Sequence, residues 1–434
     1  MKKGLVLAGG GSRGAYQIGV WQALRELDFQ IQAVAGTSVG ALNAAMVAQD
    51  DFEGALALWE RLTTGDILAI GGKQEAGKGL IQEARAAVGN VLGGIDATPL
   101  HDLAYRVLDE EKIRRSPMDF GLVTVRFPDF KPEVLTEEEI PPGKLTDYVL
   151  ASAAAFPSMK SYEIDGRQYI DGGYYNNLPI QLAYRQGARD IIAVDLKTLG
   201  IVRPARYPDA RIRVVSSHWD LGPFLEFDPE VSRRNIRLGY LDTLRLFGKV
   251  SGLWYSFQPG QLERIAALLL PSLAPSCERC SFGLVTDRGL PMERQGKARL
   301  LAALGLRGSQ RYHLRRFLTR CAEVGGEALG LDPCTLYDGD SFIASALAAW
   351  RENICHTPDD IRPAQGEALL ATAARVSKIS RPALCAYMAD CIWEVFDRGE
   401  RQHSLWRLAR QHPEEFAAGV FLLLCRQLPG SPRP

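Results

Sequence analysis

The stretch Ile31–Ala48, IQAVAGTSVGALNAAMVA, carries no charged residue and divides into two halves of different character. Ile31–Ala35 is a short apolar run that reads as a strand, and Val39–Ala48 is alanine-rich and reads as a helix. Between them, Gly36-Thr37-Ser38-Val39-Gly40 has the G-x-S-x-G form of a nucleophile elbow, in which a serine occupies a sharp turn from strand to helix. Flanking glycines suit such a turn because side chains there would clash. The pattern is short and arises by chance in a glycine-rich chain, so its strand-turn-helix context gives it weight. A simpler alternative, that Ser38 only caps the helix, fits the local sequence equally well.

Upstream, the same arrangement occurs again. Leu5–Ala8 reads as a strand, and Ala15–Leu27 as a helix with an apolar stripe at Ile18, Trp21, Leu24 and Leu27. The loop between them, Gly9-Gly10-Gly11-Ser12-Arg13-Gly14, sets backbone N–H groups beside the positive end of a helix, which suits an anion. A dinucleotide pyrophosphate would match Gly9, Gly11 and Gly14 as G-x-G-x-x-G. That reading leaves Ser38 unexplained and finds no acidic residue closing the second strand. The oxyanion of a tetrahedral intermediate uses both loops.

Downstream, Gly121–Val125, Ile191–Asp195 and Arg211–Val215 read as strands, and Leu145–Phe156 and Ile180–Gln186 as helices. Alternation of this kind implies a mostly parallel sheet covered by helices on both faces. Asp165-Gly166 marks a hairpin between Tyr162 and Ile170. The hairpin delivers Asp171 to a strand end, and Gly172 and Gly173 then leave room for another backbone or a substrate. Before residue 258 the only histidines are His101 and His218, and neither sits at a strand end near the serine. A Ser-His-Asp triad thus lacks its histidine, which leaves an aspartate as the candidate base.

With these three motifs in this order, the chain resembles the patatin-like phospholipases, a family of serine lipid acyl hydrolases. Gly9–Gly14, Gly36–Gly40 and Asp171–Gly173 match the family's G-G-G-x-R/K-G, G-x-S-x-G and D-G-G/A patterns without a departure, and Asn177-Leu178-Pro179 is also similar. The resemblance covers roughly residues 4–200, with Glu226–Asp242 similar to extensions of bacterial members. It implies a three-layer α/β/α fold and a lipid acyl hydrolase of the phospholipase A type. Ser38 would be the nucleophile and Asp171 the base. The oxyanion would be held by the N–H groups of Gly10 and Gly11, helped by Gly9 and by the charge of Arg13, with Gly14, Gly36, Gly40, Gly172 and Gly173 as supporting motif positions. No metal or other cofactor is expected. Two other functions stay open: a carboxylesterase or thioesterase acting on small soluble acyl substrates, and a binding or scaffold protein with a vestigial site.

The 434 residues suffice for two or three domains. Lysine plus arginine and aspartate plus glutamate number 51 each, and the resulting neutrality argues against a nucleic-acid partner bound through bulk positive charge. All eight cysteines fall at or after Cys277, and strand signals fade after about Phe257. We therefore expect an α/β catalytic domain over 1–257 and a mainly helical domain over 258–434, of no legible role. The opening Met1-Lys2-Lys3 is not followed by the apolar stretch of an export signal, and the longest apolar run, Phe416–Cys425, is too short to span a bilayer. A cytoplasmic location with free thiols is expected, while export without a cleavable signal stays open. The oligomeric state is not legible.

Four further features invite a functional reading. Gly72–Gly79 approaches a phosphate-binding loop but has glycine where the magnesium-contacting hydroxyl belongs. The resemblance also implies that residues 67–95, with their glycines, are a candidate lid over the site. Cys277 and Cys280 have half a zinc site's spacing, with His313 and Cys321 as distant completions, and idle thiols are the commoner outcome. Arg307, Arg311, Arg315, Arg316 and Arg320 accompany Leu314, Phe317 and Leu318, a pattern that fits either peripheral docking on an anionic membrane or, more commonly, a solvated helix face.

Overall fold

The structure, a computed structural model, describes residues 1–69, 94–204, 206–279, 291–306, 314–354, 380–398 and 409–429. These form two compact units, Met1–Gly248 and Lys249–Pro434. The boundary falls ahead of residue 258 because the short strand Ser256–Phe257 pairs in parallel with Leu336–Tyr337 inside the second unit.

In the first unit an eight-stranded sheet is built from β1 (Lys3–Leu7), β2 (Ala33–Thr37), β3 (Asp119–Phe127), β4 (Lys131–Thr136), β5 (Tyr162–Ile164), β6 (Arg167–Asp171), β7 (Asp190–Val194) and β8 (Arg211–Val215). Strands β3, β2, β1, β7 and β8 run parallel in that spatial order. Strands β1, β2 and β7 are buried at nearly every consecutive position, as strands covered on both faces must be. The expected α/β/α arrangement with a mostly parallel sheet is therefore found. The hairpin β5–β6, turning at Asp165-Gly166, and strand β4 add the antiparallel part. Strand β4 was not legible in sequence, since Pro132 and its charged neighbours lack alternation; a proline is tolerated on a sheet edge.

Strand β3 organises the site. Its residues Asp119–Val123 pair in parallel with β2, and Thr124–Phe127 pair antiparallel with β6. Because β4 pairs with Gly121–Arg126, overlapping both partners, β2 and β6 must share the opposite edge of β3. The two strands therefore abut head to head, and the chain leaves the end of β2 at Ser38 beside the end of β6 at Asp171.

Helix α1 (Ala15–Glu26) and helix α2 (Val39–Ala48) follow β1 and β2 as expected, and α3 (Phe52–Trp59) comes next. The helix Pro229–Leu246 is capped by Asp228, whose carboxylate accepts the Glu230 and Val231 N–H groups at 2.7 and 3.0 Å.

The second unit, taken by itself, is helical, with Gln261–Arg279, Pro291–Ala303, Leu314–Ala328, Gly339–Ile354, Arg381–Arg398 and Pro413–Arg426 among the described residues. Its interior holds a charged staple. Glu323 is buried, pairs with Arg320 at 2.5 Å and accepts the N–H groups of Leu253, Trp254 and Tyr255 at 2.5, 2.8 and 3.3 Å. So Arg320 faces the interior, whereas Arg315 and Arg316 are exposed; Arg307 and Arg311 lie outside the described residues. Cys280, His313, Gly72–Gly79 and nearly all of the candidate lid 67–95 also lie outside them. Among the described residues, Cys321 and Cys385 are buried free thiols. Burial holds the Cys321 thiol well above its ordinary pKa, which favours an idle thiol over a thiolate. Among the described residues no cluster of His, Cys, Asp and Glu is arranged to hold a metal, and no helix is long and apolar enough to cross a membrane.

Candidate active site

Ser38 has φ 57° and ψ −131°, a left-handed conformation that strains any residue with a side chain. Its side chain makes no capping hydrogen bond to helix α2, so the simple helix-cap alternative does not describe it. The flanking glycines are needed for close packing. A Cβ on Gly36 would lie 2.1 Å from the Gly40 carbonyl oxygen, and one on Gly40 would lie 2.2 Å from that of Leu7. The turn is braced from below by Ser152, at the end of the helix Leu145–Ser152. Its hydroxyl accepts the Ser38 N–H at 2.9 Å and donates to the Val123 carbonyl at 2.6 Å. Thr37 contributes a second brace by donating to the Asn176 carbonyl at 2.9 Å.

Asp171 is buried, its carboxylate accepts the Gly173 N–H at 2.7 Å, and the Ser38 hydroxyl stands beside it. Burial raises its pKa to about 6, and the neighbouring Ser38 hydroxyl and Gly173 N–H, which favour the charged form, moderate that rise. Gly172 packs against strand β3, where a Cβ would come within 2.0 Å of the Val123 carbonyl oxygen. Together the two glycines let the chain turn away from the sheet while one of them donates to the aspartate.

The Gly9–Gly14 loop faces the same place. Among the described residues, the N–H groups of Gly10 and Gly11 donate to no protein acceptor. The Val39 N–H, at the first turn of α2, also has no intrahelical partner. Gly9 is corrected as a donor, because its N–H goes to the Asn177 carbonyl at 3.2 Å. Its own carbonyl accepts from Thr198 Oγ1 at 2.6 Å and Asn177 Nδ2 at 3.3 Å. The expected role of Arg13 changes as well. Its Nε donates to the Gly222 carbonyl at 2.7 Å, and its Nη1 to the Leu196 and Lys197 carbonyls, both at 3.4 Å. Arg13 lines the cavity, but its guanidinium clamps the loop to neighbouring segments. Ser12 adds to the clamp by donating to the Pro223 carbonyl at 2.6 Å. The Gly14 carbonyl accepts from Asn43, which also pairs with Gln17 and Trp59.

Ser38, Asp171, Gly9, Gly10, Gly11 and Arg13 border one cavity of about 730 Å³. Away from these residues its walls are mostly apolar, with Leu42, Met46, Leu58, Leu103, Val107 and Met159 among them. No histidine is among the residues lining it. His101 lies in the helix Thr98–Val107, edge-on to Tyr162 at 5.0 Å, and partial burial lowers its pKa. His218 is edge-on to Trp219 at 5.2 Å. Sequence reasoning missed Ser152, Thr198 and the Val39 N–H; only the position of Val39 directly after the elbow serine could have signalled it.

Residues 5–184 match the family model described as patatin-like phospholipase. The chain is 26% identical over 246 residues to lysophospholipase nte1 of Aspergillus terreus, covering 55% of this chain and 15% of that protein. It is 24% identical over 254 residues to lysophospholipase NTE1 of Saccharomyces cerevisiae, covering 57% and 14%. The chain thus spans only about one seventh of the length of these relatives. Among solved structures, VipD from Legionella pneumophila aligns at 15% identity and a TM-score of 0.38, over 96% of this chain and 91% of that one. The type III effector protein ExoU aligns at 14% and 0.34, over 96% and 87%. The Gly-rich loop, serine elbow and Asp-Gly-Gly turn all lie within the span, residues 5–184, over which this chain carries a domain matching the patatin-like phospholipase family model.

Proposed function

We propose that the chain is a serine lipid acyl hydrolase of the phospholipase A type, working through Ser38 and Asp171. The observation that carries this reading is the placement of a strained elbow serine beside a buried carboxylate on the wall of one mostly apolar cavity.

The ester's acyl chain lies in the cavity, and its carbonyl oxygen faces the free N–H groups of Gly10, Gly11 and Val39. The Ser38 hydroxyl passes its proton to the Asp171 carboxylate as Oγ attacks the carbonyl carbon. The resulting oxyanion is held by the three N–H groups, each such donor being worth about 2.7–4 kcal/mol in a comparable hydrolase. The intermediate collapses by breaking the ester C–O bond, and the leaving alcohol takes the proton from Asp171. Water then repeats the sequence on the acyl-serine and releases the fatty acid. An ordinary aspartate, with a pKa near ~3.9, is a weak base at neutral pH. Burial moves Asp171 to about 6, closer to the pH at which a general base works best, while leaving it ionised at neutrality.

The test is turnover of phospholipid and of short p-nitrophenyl esters by wild type, Ser38→Ala and Asp171→Asn, together with labelling by a fluorophosphonate probe. Activity and labelling that survive in Ser38→Ala end the proposal. Turnover of soluble esters with none of phospholipid would favour the small-substrate alternative, and an unlabelled wild type would favour a vestigial site.

A further inference from the structure

The apolar surface of the first unit is gathered at the mouth of its cavity. Among the described residues of Met1–Gly248, nine large apolar or aromatic side chains are exposed, and four of them, Tyr174, Leu199, Ile201 and Phe224, also line the cavity. Val202 directly follows Ile201, and Phe130 meets Tyr174 with ring centroids 6.2 Å apart. Six of the nine therefore surround one opening, whereas exposed apolar side chains are ordinarily scattered singly. Leu199 is 97% exposed.

This lip is held in place. The Ile201 N–H donates to the Gly173 carbonyl at 3.0 Å, and the Ile201 carbonyl accepts the Asn177 N–H at 2.7 Å. These two bonds pin the run Leu199-Gly200-Ile201-Val202 against the segment that follows Asp171. After the run come two exposed cations, Arg203 and Arg206, while Lys197 before it turns its ammonium to the Ser217 carbonyl at 2.6 Å. Arg203 lies over the Tyr175 ring at 4.0 Å and donates to the Tyr175 carbonyl at 3.0 Å, which keeps its charge beside the lip. A pinned apolar edge with two arginines beside it, opening into a mostly apolar cavity, is complementary to an anionic lipid interface.

We propose that the lip formed by Leu199–Val202, Phe224 and the Phe130–Tyr174 pair docks the chain on an anionic lipid surface. A lipid substrate then passes from the bilayer into the cavity with little exposure of its acyl chain to water. The proposal rests on the lipid acyl hydrolase reading, and it places membrane contact in the first unit rather than on the Arg307–Arg320 segment. In that segment Arg320 is buried and paired with Glu323.

The experiment is co-sedimentation of the full chain, in its Ser38→Ala form, with vesicles of phosphatidylcholine alone or mixed with phosphatidylglycerol. The protein should pellet with the anionic vesicles and several-fold less with the neutral ones. Leu199→Asp with Val202→Asp should reduce pelleting at least about tenfold, with thermal unfolding as the control for fold. In the active chain, Val202→Asp with Arg206→Glu should keep the turnover of a short soluble ester and lose most hydrolysis of vesicle phospholipid. Pelleting of the double-Asp variant equal to its parent overturns the proposal, as does a parent that stays in the supernatant with both compositions. A catalytically inactive wild type that still pellets would end the hydrolase reading alone, since docking is measured without turnover.

Discussion

Thr37 and Asp171 lie opposite adjacent residues of a single strand, Val123 and Thr124, although they come from strands that run toward each other. The pairing of β3 thus sets the distance between the serine that follows Thr37 and the aspartate that ends β6. Neither depends on a flexible loop for its position.

The carboxylate position bears first on pH. With Asp171 at about 6, kcat/KM for a soluble ester should fall tenfold per pH unit below about 6 and level off above it. The profile of the free enzyme checks this directly, and an acid limb centred near the ordinary aspartate value of ~3.9 would assign it to another group.

Stability should move in the opposite direction. The folded state holds the Asp171 proton more tightly than the unfolded chain does, so the contribution of this group is favourable in acid and is lost as pH rises from about 4 to about 6. Above that window the ionised carboxylate lowers stability by roughly 3 kcal/mol, two pKa units at 1.36 kcal/mol each. Asp171→Asn removes the charge and keeps an oxygen for the Gly173 N–H. It should therefore abolish hydrolysis and raise the unfolding temperature at pH 7.5, with the gain shrinking below pH 5. Calorimetry at both pH values checks it.

For Arg13 two roles make different predictions. If its charge alone assisted the oxyanion, Arg13→Lys would retain activity. Because Nε and Nη1 hold three carbonyls at once, a lysine ammonium cannot reproduce the clamp. Arg13→Lys and Arg13→Ala should each lower kcat at least about tenfold, with the loss in kcat rather than KM. Steady-state kinetics on a soluble ester decides, and full activity in the lysine variant would restore the charge role.

Chain-length preference should be tunable from the apolar walls of the cavity. Leu103→Phe and Met46→Phe add bulk to the apolar lining of the cavity. The ratio of long-chain to short-chain p-nitrophenyl ester turnover should fall by about 10-fold or more, the scale set by a few methylenes in an apolar pocket. An unchanged ratio would mean that the acyl chain lies elsewhere.

Much of the first unit was legible because its signals are local. The strand-turn-helix pattern around Ser38 and the hairpin turn at Asp165-Gly166 each follow from a few neighbouring residues, and both are where the sequence places them. What was not legible depends on contacts distant in sequence. The N–H of Gly9 is removed from the donor set by Asn177, the guanidinium of Arg13 is drawn to carbonyls at Leu196, Lys197 and Gly222, and the elbow stands on Ser152. A glycine or arginine in a motif reveals its type, but its hydrogen-bond partner is chosen by the folded chain. Strand β4 escaped for a related reason, since an edge strand with a proline has little alternation to show.

The head-to-head meeting of β2 and β6 on β3 also bears on how the chain acquires its activity. A partly folded chain in which β1, β2 and β3 have paired would already hold Ser38 with no Asp171 beside it, and docking of the β5–β6 hairpin alone would hold Asp171 with no Ser38. Both pairings join residues far apart in sequence, the class of contact that forms slowly. Recovery of hydrolysis during refolding therefore times the slower of two strand dockings, and it lags any spectroscopic signal that reports helix formation or collapse.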